Sequence, residues 1–176
     1  MRHQLLACAL SVFAALGCGA AEEGENVGES QEAVILVNNK VLRVNSGGKC
    51  IEQAGGLWKR VNCVSPYPAA KKFLFDGDTA SGFRVRLVNG GPCLVPRIPA
   101  TVGDTLISSY ACNTDAPSKW KVLPGSGSLD SNTFQLQNAF YTNMCIHASL
   151  DNYLRVEGCV NTFPAADAQR LLLDNF

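Results

Sequence analysis

The stretch LRVNSGGKCIEQ, residues 42–53, recurs as VRLVNGGPCLVP at 85–96 and as FQLQNAFYTNMCIHA at 134–148. Each version runs from a short apolar strand through a polar turn to a Cys followed by an aliphatic residue. These dipeptides are Cys50-Ile51, Cys93-Leu94 and Cys145-Ile146. A second Cys follows at Cys63, Cys112 and Cys159, and a Pro five residues later at Pro68, Pro117 and Pro164. A bulky apolar side chain then completes each copy: Phe73, Trp120 and Leu171. Self-similarity of this kind marks a fold assembled from one repeated supersecondary unit.

Around these copies the chain reads as short strands cut by turns. Residues 34–37 and 41–44 are β-prone runs separated by the turn pair Asn38-Asn39. Asp76-Gly77-Asp78 follows Phe73-Leu74-Phe75 and reads as a β-turn. Residues 83–88 form another candidate strand with Asn89-Gly90-Gly91 as its turn, and a Gly/Ser loop at 124–128 precedes a strand at 134–136. No stretch after residue 33 sustains a helical period. Many short, evenly spaced strands argue for an all-β barrel or sandwich. Three hairpin-bearing units about one axis select a β-trefoil of three pseudo-symmetric repeats, a small barrel closed at one end by a triangle of hairpins.

At 176 residues there is room for one domain with a real core. Lys plus Arg equal Asp plus Glu at 15 each, but five glutamates lie before Ala33, leaving 14 basic against 10 acidic residues from Val34 onward. A surplus of four suits a mildly positive face or an anionic polysaccharide. It falls short of the basic stripe of nucleic-acid binders. Eight cysteines point to an oxidising compartment. Met1-Arg2-His3 is a short positive leader to a largely apolar run at 5–16, which as a helix would reach about 18 Å. That length suits a secretory signal and is too short to cross a bilayer. Residues 1–18 are therefore expected to be a signal peptide. Ala15-Leu16-Gly17-Cys18 resembles a bacterial lipobox, which makes Cys18 a lipidation site, although Ala15 stands where Leu is preferred. Plain cleavage near Ala20 or Ala21 is the rival, and both routes leave six cysteines to pair. The acidic, Gly-rich segment 19–33 reads as a disordered linker holding the domain on the order of 20 Å from its anchor.

The three copies resemble ricin B-type lectin domains, whose repeats carry a Cys pair and a Gln-any-Trp anchor. The resemblance covers 34–176. The anchor stands here as Lys71-Lys72-Phe73, Ser118-Lys119-Trp120 and Gln169-Arg170-Leu171. Six cysteines allow fifteen pairings. The repeat implies a local disulfide in each copy, Cys50 with Cys63, Cys93 with Cys112 and Cys145 with Cys159, each contributing about 3 kcal/mol on the chain-entropy model. A zinc site is disfavoured: there is no Cys-x-x-Cys, and His147 is the single histidine after the leader. No cofactor is implied.

The resemblance also implies up to one shallow sugar pocket per repeat. A carboxylate two residues after the first Cys accepts from sugar hydroxyls. An aromatic two residues before the second Cys stacks on the sugar's apolar face, and an amide near the anchor completes the set. Such a mixture suits a ligand with C–H patches on one side and hydroxyls round its edge. In the first copy these positions are Glu52, Val61 and Lys71, with Trp58 nearby; in the second, Val95, Tyr110 and Ser118; in the third, His147, Glu157 and Gln169, with Tyr153 close on the hairpin. No copy has the full set. Singly, each also reads as ordinary hairpin surface. The expected function is a non-catalytic, secreted or surface-anchored carbohydrate-binding protein whose contact with a membrane is through an N-terminal lipid. The alternative is a protease inhibitor or other protein-binding trefoil acting through the Pro96-Arg97-Ile98-Pro99 loop. An enzyme is disfavoured: there is no Gly-x-Ser-x-Gly, and Asp76 and Asp78 are the acidic pair that would have to serve glycoside hydrolysis.

Overall fold

A computed structural model describes residues 35–112, 116–129, 133–160 and 165–174. The leader at 1–18, Cys18, the linker at 19–33 and Pro164 lie outside them. The strands are β1 (Ile35–Val44), β2 (Cys50–Ala54), β3 (Leu57–Val61), β4 (Lys72–Asp78), β5 (Gly82–Leu87), β6 (Cys93–Val95), β7 (Ile107–Ser109), β8 (Trp120–Val122), β9 (Leu136–Asn138), β10 (Met144–Ala148), β11 (Leu154–Gly158) and β12 (Leu171–Asp174). Short 3-10 turns precede β4, β8 and β12. The expected all-β class is observed.

The strands form a ring of antiparallel pairings that runs β12–β1–β4–β5–β8–β9. A bridge between Phe134 and Leu171 returns the ring to β12, with N–H···O bonds of 2.9 and 2.7 Å in the two directions. Three hairpins stand off this ring: β2–β3, β6–β7 and β10–β11. They touch one another in a triangle. Leu57 bridges Ile107, Lys59 bridges Tyr153, and Thr105 bridges Arg155. Each hairpin is strapped by its own disulfide, Cys50–Cys63, Cys93–Cys112 and Cys145–Cys159. The local pairing is thus the one of the fifteen that forms.

Period-two alternation builds the core. On β5, Phe83, Val85 and Leu87 point inward while Arg84 and Arg86 alternate with them. The spaced anchors Phe73, Trp120 and Leu171 are all fully buried. Each such side chain contributes roughly 1.5–3 kcal/mol through its buried apolar surface. A second set, Trp58, Leu106 and Leu154, is equally buried; Trp58 and Leu154 stand at the turn ends of their hairpins. Trp58 lies 5.5 Å from Phe73 between ring centroids.

Two sequence expectations are corrected. Asn38-Asn39 does not separate two strands, because β1 is continuous and pairs with β4 on both sides of the pair. The register shifts there, and Asn39 takes φ +57°, so the amides form a β-bulge. Asp76-Gly77-Asp78 is not a turn either; it ends β4, and the turn follows it. Gly77 permits this because a Cβ there would meet Gly82 O and Phe83 Cα at 2.7 Å. It marks a close approach of two backbones within a ladder.

Candidate functional site

The positions singled out in sequence divide into an inner and an outer set. Among the inner set, Gln169 is 1% exposed. Its Oε1 accepts from Val160 N–H at 2.9 Å and from Gln135 Nε2 at 3.2 Å, and its Nε2 donates to Gly158 O at 2.7 Å. Gly158 and Val160 flank Cys159, so this amide fastens the strapped end of the third hairpin to the barrel. Gln169 is therefore committed inside the protein, a correction to its expected place on a sugar. Lys71, also buried, makes the matching contact in the first copy. Its Nζ donates to the carbonyl of Asn62, the residue before Cys63, at 3.3 Å. It also lies 3.3 Å from Glu52 Oε2. The ammonium thus holds the carboxylate that was expected to face ligand. Ser118, the third of this set, is buried too.

Trp58 is the second correction. It is fully buried, and its indole N–H donates to Ile107 O at 3.0 Å. No ring face is left for a ligand. Its side of the hairpin is the core side, where it corresponds to Leu106 and Leu154.

The outer set remains at the surface. Glu52 lies opposite Lys59 on β3, and Lys59 Nζ sits 5.1 Å from the centroid of the Tyr153 ring. That contact is a cation–π pair, which occupies one face of Tyr153. Asp151 beside it accepts from Arg155, and this bond, the first of several causes, lowers its carboxyl to about 2. His147 is half-buried on β10, and Glu157 lies on the partner strand. Burial lowers the imidazole pKa, with Glu157 opposing and Arg60 reinforcing the shift. Its Nδ1 is shielded from solvent and has no hydrogen-bond partner among the described residues.

The second hairpin carries the most open arrangement. Tyr110 is 82% exposed. Its sequence neighbours Ser109 and Ala111 line a cup of about 410 Å³, together with Val95, Pro96, Ile98, Ile107, Pro117 and Ser118. The segment bearing Tyr110 is fixed from behind. Cys112 N–H donates to Tyr110 O at 2.9 Å, and Arg84 Nη1 donates to Cys112 O at 3.2 Å. Arg84 is in turn held by the buried carboxylate of Asp76, its Nε 2.7 Å from Oδ1, while Arg86 Nε lies 2.9 Å from Oδ2. In the sequence Asp76 stands out only as part of a turn and of an acidic pair. The alternating Arg84-Val85-Arg86 opposite it was the available signal. Asp78 is tied to Ser81, whose side-chain hydroxyl is the first cause of its lowered pKa.

The loop after β6 is anchored at its far end. Thr101 N–H donates to Asp104 Oδ2 at 2.8 Å, Gly103 N–H to Val156 O at 2.8 Å, and Arg155 Nη1 to Gly103 O at 2.7 Å. Pro96 is buried, whereas Arg97, Ile98 and Pro99 are exposed. A separate polar hollow of about 360 Å³ is lined by Asn38, Asn39, Ala69, Lys72, Val88 and Asn89.

No protein-family model matches the chain, and no curated protein matches it in sequence. Solved structures do. The chain is similar to a ricin B-like lectin of Macrolepiota procera in complex with lactose, with 14% identity and a TM-score of 0.60 over 78% of this chain and 95% of that one. It is similar to the protein BEL, described as a β-trefoil, with 15% identity and a TM-score of 0.57 over 78% and 92%. It is also similar to a GlcNAcα1-4Gal-releasing endo-β-galactosidase from Clostridium perfringens, with 16% identity and a TM-score of 0.63. The match takes 78% of this chain but spans only 32% of that enzyme. At these identities the likeness establishes the fold alone, a β-trefoil.

Proposed function

We propose that this chain is a non-catalytic carbohydrate-binding β-trefoil of three pseudo-symmetric repeats, exported from the cell and either secreted or held at its surface. The observation that carries the reading is Tyr110, an exposed ring on a held backbone, whose sequence neighbours Ser109 and Ala111 line a ligand-sized cup. An aromatic face beside a concavity is what sugar recognition requires. That lectins are among the similar structures supports the same reading. Glu52 in the first repeat and His147 with Glu157 in the third supply polar groups at the corresponding places. Single pockets of this kind bind weakly, and several on one domain gain by avidity. Asp76 and Asp78 are engaged by Arg84, Arg86 and Ser81, which supports a non-catalytic role. Cys18 is the proposed lipid attachment point, and mass spectrometry of the mature N-terminus distinguishes it from cleavage near Ala20.

A glycan array that includes anionic glycans tests the proposal, repeated with Tyr110, Glu52 and His147 each replaced by Ala. Binding at millimolar ligand, lost with one replacement, identifies the working repeat. No binding above background overturns the reading. One second reading has its own observation, the exposed Arg97-Ile98-Pro99 tip on an anchored loop. Such a tip suits insertion into a trypsin-like pocket; inhibition of a trypsin-like protease that disappears with Arg97→Ala is its expected signature.

A further inference from the structure

The cup on the second hairpin, lined in part by the residues on either side of Tyr110, differs in chemistry from the corresponding places on the other two hairpins. Two residues after the first Cys, Glu52 and His147 offer polar atoms, and Val95 offers none. Pro96, Ile98, Ile107 and Pro117 extend the same hydrocarbon wall. Two hydroxyls lie in the lining: Ser109 Oγ donates to Ala111 O at 3.3 Å and keeps its lone pairs at the edge of the cup, and Ser118 is buried with a partner of its own. A sugar hydroxyl pressed against the hydrocarbon part of this wall would give up its water and find no acceptor there, which disfavours it. A methyl group there would instead remove apolar surface from water on both sides. The volume, about 410 Å³, is that of a small-molecule site. A docked protein would need a contact surface on the order of 1,000 Å².

The geometry points to a ligand class for this second pocket. It takes a sugar residue bearing an apolar substituent, such as a 6-deoxy methyl or the methyl of an N-acetyl group, seated in the cup while the ring stacks on Tyr110. The inference rests on the carbohydrate-binding reading and adds what distinguishes the second pocket from the other two. The protein carries its own reporters of occupancy. Trp58 Nε1–H donates to Ile107 O, which belongs to the wall, and Trp120 Nε1–H donates at 2.8 Å to Leu94 O, next to Val95.

The test is a titration of the ¹⁵N-labelled protein with the methyl glycosides of galactose, 6-deoxygalactose and N-acetylgalactosamine, following the two indole N–H signals. The 6-deoxy or N-acetyl glycoside should shift at least one indole saturably, and about tenfold more tightly than the galactoside, in line with the discrimination a small apolar pocket gives one added group. Tyr110→Ala should remove the response. Val95→Asp should narrow or reverse the preference. Ile98→Ser, at a 70% exposed side chain that folding does not depend on, should weaken the preferred glycosides more than the galactoside. Equal affinity for all three glycosides overturns the inference. So does a shift caused by N-acetyl-leucine amide but by none of the sugars, which would make a protein side chain the occupant. If the array shows binding that depends on Glu52 or His147 while both indoles stay still, this inference fails and the carbohydrate reading survives; an empty array overturns both.

Discussion

The first and second hairpins share a backbone plan and differ in where their chemistry points. In the first, the large aromatic Trp58 is turned into the core, and the surface carboxylate Glu52 is held by the buried Lys71. In the second, Leu106 takes the core place and the aromatic Tyr110 stands in solvent, between two residues that line a largely apolar cup. One hairpin thus keeps its ring inside and ties up its charge. The other has no charge at that position and presents its ring. The lesson is that one hairpin plan can carry different outward side chains; in the first hairpin Trp58 and Glu52 lie on opposite faces of the same ladder, so the outer position is free to differ without disturbing the core.

The largest effect should come from exchanging what the two aromatics are asked to do. Trp58→Ala should cost about 3–5 kcal/mol by leaving a core cavity. Tyr110→Ala should change stability by no more than about 0.5 kcal/mol, while weakening glycan binding. Denaturant unfolding of the two variants measures this directly. A severe loss of stability in Tyr110→Ala would erase the contrast.

A smaller effect sharpens the comparison between the first hairpin and the third. Lys71→Ala should cost about 1–3 kcal/mol, because the Asn62 carbonyl loses its buried donor. Lys71→Gln should recover most of that, since Gln169 makes the equivalent bond to Gly158 in the third copy. Thermal melts of both variants decide it. Equal destabilisation would break the proposed correspondence between Lys71 and Gln169.

The smallest effect is one of pH. His147 is held below its ordinary value of 6.5, chiefly by burial, so the unfolded chain takes up the proton more readily than the folded one. Its contribution to stability is therefore complete above about 6.5 and declines as pH falls from there through the lowered folded value. His147→Asn should flatten the fall in melting temperature between about pH 7.5 and 5. An unchanged slope would show that other groups carry it.

What the sequence made legible follows the same division. Phe73, Trp120 and Leu171 could be placed inside because each stands at a similar distance beyond the second Cys, and repetition separates such positions from chance. The three disulfides were legible on the same ground. Trp58 was harder, since a lone Trp beside a candidate pocket looks the same whether it faces the core or a ligand, and only the hairpin register separates the two. Gln169 was read as a sugar ligand because an amide satisfies either a carbonyl of the protein or a hydroxyl of a sugar equally well. Asn38-Asn39 and Asp76-Gly77-Asp78 were read as turns because bulges and close strand approaches use the same residues as turns do. Nothing local in the sequence reveals that β4 pairs on through the second of these.

The triangle of bridges among the hairpins bears on how this molecule behaves in a crowd. Leu57 to Ile107, Lys59 to Tyr153 and Thr105 to Arg155 each occupy strand-edge groups that would otherwise be available to a neighbouring chain. Exposed strand edges are the usual starting points for edge-to-edge aggregation. By turning those edges toward one another, the hairpins withdraw them from the strands of a neighbouring copy.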